Sequence, residues 1–293
     1  MAFQIIYNQY DILLNANDRD KYRIMVVFMK FEIRKPTKLL SPWIECYWNV
    51  QLDTGTNSKN EIILPNGKIE MIFALEGNYQ VINRRTHKMK QAWLSGIHHE
   101  PLEIHYNGKS NLIGIRFYPH GIFPFLNIPI HETVNHVENL NSFWGVFHDE
   151  IFETLCTIQE QQQIYSTLDQ LLIRKISERK TNHHKILGHI VEHIRTNPQL
   201  SFPALASSIG FTQRHLNRLF KDHTGINPKL LSQIFRFEKA YCYLHAHSEE
   251  DVADIISTLG YYDQSHFNKE FKRFSGMTPL EYKKRAIDSS NFL

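Results

Sequence analysis

The sequence predicts an α+β protein of two domains: a small N-terminal β-barrel or sandwich with flanking helices, and an all-α C-terminal domain. Between residues 31 and 128, short segments rich in β-branched and aromatic residues alternate with turn residues. From residue 185 onward the segments have helical periodicity, and one helical unit occurs twice. The chain has 293 residues, which is enough for two domains of ordinary size.

The N-terminal part supplies the strand-like segments. Residues 1–30 have little periodicity and predict an N-terminal extension, with Met29 as the hypothesised natural start. The Asn66-Gly67 pair predicts a tight β-hairpin, and Gly77-Asn78 and Asn107-Gly108 predict further turns. Strands are expected at 43–52, 61–65, 68–75, 79–84, 92–97, 102–106 and 111–118. Such a run of short strands is typical of a small barrel or sandwich.

Residues 130–180 are polar and have a helical pattern with an apolar stripe, formed by Ile151, Leu155, Ile158, Leu168, Leu171, Leu172 and Ile176. We expect either a pair of helices packed on the β-rich part or a dimerisation surface, and no sustained heptad decides between them. The polar stretch 178–185 marks the expected boundary. It separates a β-rich sensor or dimerisation domain at 31–180 from a helical domain at 181–293.

The helical domain contains an internal repeat. Phe220, Gly225 and Pro228 recur 51 residues later, whereas Gly210 recurs 50 residues later as Gly260, so the second copy has one extra residue in its turn. Each copy reads as a helix, a Gly-centred turn and a second amphipathic helix, which is the helix-turn-helix layout. The expected N-caps of the helices are Thr212, Ser248 and Asp263.

The second helices of the two copies, at 212–222 and 263–274, have outward faces rich in Arg, Lys, Asn and Gln. These residue types pair with base edges in the major groove. In a single copy, such a face could equally be a polar surface that only contacts solvent. Its occurrence in both copies favours DNA binding. A helix expected over 228–247 would connect the two units. The predicted DNA-binding residues are Gln213, Arg214, Asn217, Arg218, Lys221, Gln264, Ser265, Asn268, Lys269 and Lys272.

With these residues, the segment 185–285 resembles the C-terminal DNA-binding domain of the AraC/XylS family of bacterial transcription regulators. The resemblance rests on the motifs at 205–228 and 255–282 and on Arg236, Lys239 and Ala240 between them. It implies seven helices, contact with promoter DNA and, in most members, activation of transcription. It places the base-reading positions at Arg214, Asn217, Arg218, Gln264, Ser265 and Lys269. The segments 47–48, 64–73 and 114–132 resemble, more loosely, sensor domains of some members.

The cysteines, the apolar segments and the histidines bear on membrane, metal-binding and catalytic functions. The cysteines Cys46, Cys156 and Cys242 are far apart, and the sequence has no apolar run of eighteen residues, so a cytoplasmic protein without a membrane segment is expected. Trp48 and Trp93 could be core residues or could line an effector pocket. His98, His99, His105 and His120 lack the spacing of a metal site. We therefore predict no catalytic residues, no metal and no cofactor.

The expected partners are double-stranded promoter DNA and RNA polymerase, and a small-molecule effector and a homodimer stay open. One alternative is a ligand-independent DNA-binding protein whose N-terminal domain serves only for dimerisation. Another is a metal-dependent barrel enzyme fused to a DNA-binding domain. The net charge of +3 does not discriminate between these alternatives.

Overall fold

The computed structural model describes residues 22–26, 29–83, 85–158, 160–176, 183–197, 200–246 and 252–290. Its strands are β1 (Tyr22–Val26), β2 (Met29–Arg34), β3 (Ile44–Ile63), β4 (Ile69–Asn83), β5 (Arg85–Lys88), β6 (Ala92–Ser95), β7 (Leu102–Phe117) and β8 (Val137–Asn139). Three helices follow the sheet: α1 (Asn141–Trp144), α2 (Val146–Thr157) and α3 (Gln161–Ile176). The C-terminal part contains α4 (His184–Thr196), α5 (Phe202–Ser208), α6 (Gln213–Thr224), α7 (Pro228–Ala246), α8 (Val252–Leu259), α9 (Gln264–Ser275) and α10 (Pro279–Ser290). The predicted α+β class is confirmed.

The strands form one antiparallel sheet in the order β1-β2-β3-β7-β4-β6-β8, with β5 paired to β4. β1 lies within the predicted extension 1–30 and pairs with β2, and the domain boundaries stay predictions. β3 and β4 lie on opposite sides of β7, so the hairpin predicted at Asn66-Gly67 is wrong. This turn packs on α7 instead, since a Cβ at Gly67 would lie 2.8 Å from Cε1 of Phe235. The turns predicted at Gly77-Asn78 and Asn107-Gly108 lie inside β4 and β7, next to shifts in strand register.

The connection between β3 and β4 shows that the sheet is strongly curved. β3 ends with Ile63 opposite Leu102, at one end of β7, and β4 begins with Ile69 opposite Phe117, at the other end. An extended strand of the length of β7 would span about 50 Å. The chain from residue 63 to 69 can reach only about 20 Å. The ends of β7 must therefore approach each other, which gives the sheet a barrel-like shape.

Both faces of the curved sheet contribute side chains to buried clusters. The inner face encloses an apolar cluster that includes Trp48, Val50, Tyr79, Val81 and Trp93. Side chains on the outer face, among them Tyr47, Met71, Phe73, Ile115 and Phe117, belong to a larger cluster that continues into the helices of both parts of the chain. Trp48 and Trp93 therefore contribute to the inner core of the sheet.

Residues 130–140, which the pattern predicts to be helical, form a 3-10 turn at Ile130–Thr133 followed by β8. β8 pairs with β6, so backbone pairing at the sheet edge overrides the helical pattern there. The apolar stripe is helical as predicted, and its residues Ile151, Leu155, Leu168 and Leu172 are buried in the same core as the outer face of the sheet. This burial favours packing on the sheet over the alternative of a dimerisation surface.

The inner face of the sheet also carries a polar network. Oε1 of Glu70 accepts hydrogen bonds from Nε1 of Trp48 and from Nε of Arg116, each at 2.9 Å. A cavity of about 30 Å³ lies beside it, lined by residues that include Glu70, Tyr79 and Trp93. That volume suits about one water molecule, whereas drug-sized ligands occupy pockets of about 300–1,000 Å³. The cavity has no space for a metabolite in this conformation.

The histidines that could suggest a metal have other neighbours. Nε2 of His98 lies 3.0 Å from Oγ of Ser95, Nε2 of His99 lies 2.7 Å from Nδ2 of Asn135, and Nε2 of His105 lies 3.1 Å from Oε1 of Glu103. Among the residues that the structure describes, no group of three or more His, Cys, Asp or Glu side chains could hold a metal ion. Within the described ranges, no helix has the length and apolar character needed to cross a membrane.

Candidate nucleic-acid interface

The first helix-turn-helix unit consists of α5 and α6. Oγ of Ser201 accepts a hydrogen bond from the Ala204 amide at the start of α5, and Gly210 makes the turn with a φ of +73°. Oγ1 of Thr212 then accepts a hydrogen bond from the His215 amide, as predicted for an N-cap. The apolar side of α6 is buried in the common core. Local capping and burial thus fix both ends and the inner face of this helix.

The second unit, α8 and α9, repeats these contacts. Oδ1 of Asp263 accepts from the His266 amide at 2.7 Å, whereas the predicted cap Ser248 lies outside the described residues. The ends of α6 and α9 match as well. Oγ1 of Thr224 donates to the Phe220 carbonyl, and Oγ of Ser275 donates to the Phe271 carbonyl, 51 residues later. The sequence repeat is therefore also a structural repeat, in which the side chains that cap α6 have counterparts at both ends of α9.

The predicted DNA-binding residues lie together on the outward faces of α6 and α9. On α6, the side chains of Gln213, Arg214, Asn217, Arg218 and Lys221 are exposed. On α9, those of Gln264, Ser265, Lys269 and Lys272 are exposed, and Asn268 is half-buried. Nη2 of Arg218 lies 3.3 Å from Nδ1 of His215. Most of these side chains are therefore accessible to a ligand.

An ion pair joins α9 to the connecting helix α7. Nε and Nη2 of Arg236 lie 2.9 and 2.6 Å from the two carboxylate oxygens of Glu270, and the Arg236 guanidinium lies 4.4 Å from the centre of the Tyr261 ring. Burial alone would lower the pKa of Arg236, but the hydrogen bonds and charge of Glu270 raise it. This bidentate contact fixes the orientation of α9 relative to α7.

The end of α6 contacts the N-terminal part of the chain instead. The buried His223 ring stacks on Phe123 with 4.1 Å between ring centres, and its Nδ1 lies 2.9 Å from the Leu219 carbonyl oxygen. Gly225, immediately after α6, approaches the 3-10 turn at Ile130–Thr133 so closely that a Cβ would lie 2.9 Å from the Ile130 oxygen. α6 is therefore positioned in part by the β-rich part of the chain.

Gly225→Ala is expected to destabilise this contact. Gly225 has a φ of +80°, and a Cβ there would also lie 2.7 Å from Cγ2 of Val134. Left-handed strain costs about 1–2 kcal/mol, and the clash adds to it, so we expect a loss of at least about 2 kcal/mol in unfolding free energy, measured by urea denaturation. Gly276→Ala is the matched control, because its φ is +77° but its nearest neighbour, Cγ of Pro101, is 3.7 Å away. Equal losses would contradict the contribution of the contact.

A buried histidine lies at the same junction. His120 is 4% exposed, and a Cβ at Gly188 of α4 would lie 3.4 Å from its Nε2. Among the described residues, neither ring nitrogen of His120 has a well-aligned hydrogen-bond partner. The pKa of His120 is lowered to about 4, mainly by burial and in part by the neighbouring His223 and His184, while the Pro42 backbone opposes the shift. The neutral ring is therefore the form that the fold accommodates.

Stability is expected to fall as the pH drops from about 6.5 to about 4. The folded pKa of His120 lies below its ordinary value, so the unfolded state binds the proton first, and stabilisation present above pH 6.5 is lost on acidification. At pH 5, the resulting loss of unfolding free energy is on the order of 2 kcal/mol. His120→Phe should reduce the difference in unfolding free energy between pH 7 and pH 5. An unchanged difference in the His120 variant would refute this assignment.

Two features of the interface were missed from the sequence. Glu270 stands 51 residues after the buried Leu219, so comparison of the two copies could have revealed a charge at an inward position. Tyr262 is the extra residue in the second turn and is 91% exposed. The unequal spacing of the two copies could have identified Tyr262 as an inserted residue. That Arg236 is the partner of Glu270 could not be predicted without the tertiary fold.

Two protein families match separate parts of the chain. Residues 205–285 match a family described as a helix-turn-helix domain. Residues 32–139 match a family described as a domain of unknown function, DUF6597. The first match confirms the helix-turn-helix architecture predicted for the C-terminal part, and the second covers most of the curved sheet.

Similar proteins include transcription regulators. The chain is 29% identical over 133 residues to the HTH-type transcriptional activator RhaS of Escherichia fergusonii, which covers 44% of this chain and 47% of that protein. It is 35% identical over 77 residues to the HTH-type transcriptional activator RhaR of Yersinia pseudotuberculosis serotype O:1b, covering 26% of each. The chain thus spans less than half the length of these relatives.

Among solved structures, ToxT from Vibrio cholerae O395 aligns with a TM-score of 0.43 at 11% identity, over 78% of this chain and 97% of that one. KdgF from Halomonas sp. aligns with a TM-score of 0.26 at 12% identity, over 35% of this chain and 91% of that one.

Proposed function

We propose that this chain, which belongs to the AraC-type family of helix-turn-helix transcriptional regulators, binds two successive major-groove segments of promoter DNA and activates transcription. The family is one of regulators and not of enzymes. The observation that carries the proposal is the duplicated helix-turn-helix unit with exposed Arg, Lys, Asn and Gln side chains on α6 and α9. A cytoplasmic location and contact with RNA polymerase belong to the same proposal.

The assignment of individual contacts follows from the side-chain chemistry. Arg214, Asn217 and Arg218 are assigned to base edges, because Arg pairs with guanine and Asn with adenine. Lys221, nearer the end of α6, is assigned to a phosphate. On α9, Gln264, Ser265 and Lys269 are assigned to bases. Asn268 and Lys272 complete the set of proposed contacts.

The connecting helix supports simultaneous binding by both units. α7 has 19 residues, which gives a length of about 28 Å. Successive major-groove segments on one face of DNA lie about 34 Å apart. A rigid helix of this length, attached to α9 through Arg236 and Glu270, suits two reading helices on one side of the duplex.

The N-terminal part is proposed to control the position of α6 through the Phe123–His223 and Gly225 contacts. The small cavity in the sheet favours a packed scaffold in this conformation, so an effector that binds in this cavity would have to enlarge it. A thermal-shift screen with small metabolites separates the alternatives. A hit that also changes DNA affinity supports sensing, and the absence of any hit supports a role in assembly only. A homodimer is tested by ultracentrifugation.

The proposed function is tested by selecting bound sites from genomic DNA and footprinting them with the full chain. We expect two protected segments about one helical turn apart on one face of the duplex. Affinity should fall steeply with salt, since contacts to phosphates release counterions. A single protected segment would contradict reading by both units, and affinity that does not depend on salt would contradict groove binding.

A further inference from the structure

The second helix-turn-helix unit has an exposed aromatic residue that the first unit lacks. The turn glycines are 50 residues apart and the N-caps Thr212 and Asp263 are 51 residues apart, so one residue is inserted between them in the second copy. Tyr261 occupies the buried position that follows the glycine, at 5% exposure. Tyr262 is then the inserted residue, and 91% of its surface is exposed.

The backbone on both sides of Tyr262 is fixed. Tyr261 lies under the Arg236 guanidinium and against the Phe267 ring, with 5.0 Å between ring centres. Asp263 caps α9 through the His266 amide. Because both neighbours are held in place, the Tyr262 ring can occupy only a limited range of positions. Holding the backbone in this way lowers the entropy lost when the side chain binds a ligand.

The chemistry of this end of α9 favours a tyrosine over a cation. The N-terminal residues of a recognition helix contact base edges in the major groove, so Tyr262, which directly precedes the N-cap of α9, would lie beside the DNA segment bound by α9. The first unit is capped there by the neutral Thr212, but the second is capped by Asp263, whose charge repels phosphate. A lysine beside Asp263 would pair with that carboxylate. A phenol is neutral and donates one hydrogen bond, and Tyr hydroxyls are among the groups that bind DNA phosphates.

We propose that the Tyr262 hydroxyl donates a hydrogen bond to a phosphate oxygen at the edge of the DNA segment bound by α9, with its ring against the adjoining sugar. This inference rests on the proposed function. The contact would strengthen binding of the second unit without reading sequence, because a phosphate oxygen is the same at every base pair.

The test compares the dissociation constants of the wild type, Tyr262→Ala and Tyr262→Phe on a selected site and on random DNA over a range of salt concentrations. We expect Tyr262→Ala to bind about tenfold more weakly, and Tyr262→Phe several-fold more weakly, on both DNAs. The salt slope should not change, because no charge is removed, whereas Lys272→Ala should reduce it by about one. Leu39→Ala removes another large exposed side chain, 67% exposed, and should leave binding unchanged.

The outcomes separate this inference from the proposed function. If the wild type has no affinity for DNA, the proposed function itself fails. If the wild type binds but Tyr262→Phe matches it, the hydroxyl–phosphate bond is refuted. If both variants bind normally and only activation of transcription falls, Tyr262 contacts a protein and the inference is wrong. Loss of one phosphate contact at the second segment in ethylation interference with Tyr262→Phe would support it directly.

Discussion

Glu270→Ala should destabilise the C-terminal part by about 3 kcal/mol or more, because it leaves the Arg236 guanidinium without its carboxylate partner. The side chain of Arg236 is only 12% exposed and that of Glu270 only 4%, so water can replace the lost contacts only in part. Since this ion pair holds α9 against α7, protection of the second DNA segment should be lost before that of the first. Urea denaturation and footprinting measure the two effects.

The first copy of the repeat supplies the control for this prediction. Leu219 stands where the second copy has Glu270, and it is buried without an ion pair. The double variant Arg236→Met with Glu270→Leu removes both charges and should therefore recover much of the lost stability. If it is as unstable as Glu270→Ala, the loss comes from packing rather than from the unpaired charge. Glu270→Gln, which keeps the size and one hydrogen bond, should have an intermediate effect.

The helical half of the fold was predictable because its signals are local. The caps Thr212 and Asp263 and the turn glycine Gly210 act within a few residues of their own position, so the sequence shows them directly. The β-rich half depends on pairing between distant strands. Asn66-Gly67 has the sequence of a hairpin, yet β7, which follows it by some 35 residues, lies between its flanking strands. No local pattern contains that information.

The same distinction applies to the candidate interface. The exposed residues of α6 and α9 follow from helical periodicity alone, and all ten predicted positions lie on those two helices. The contacts that position the helices could not be predicted, since Phe123 and His223 are 100 residues apart in sequence. A helix face can be identified from spacing, but the residues that hold the helix in place are determined by the tertiary fold.

The double variant Arg214→Ala with Arg218→Ala should have the largest effect on DNA binding. Each arginine is expected to contribute about 1–3 kcal/mol at its own base pair, so the pair together should weaken binding to a selected site at least about 30-fold. The two residues are one helical turn apart on α6, so their effects need not be additive. Titration of labelled DNA measures the loss, and selection from random sequences should show relaxed preference at two positions in the first segment only.

The control for this prediction is Lys38→Ala with Lys90→Ala, which removes the same charge from exposed positions in the N-terminal part. Because long-range charge steering depends on net charge while base contacts depend on position, the control should weaken binding only slightly. A pair of proposed base contacts on α9, Gln264→Ala with Lys269→Ala, should relax specificity in the second segment and leave the first intact. If Arg214→Ala with Arg218→Ala weakened binding to selected and random DNA equally, both arginines would be phosphate contacts, and sequence reading by α6 would be refuted.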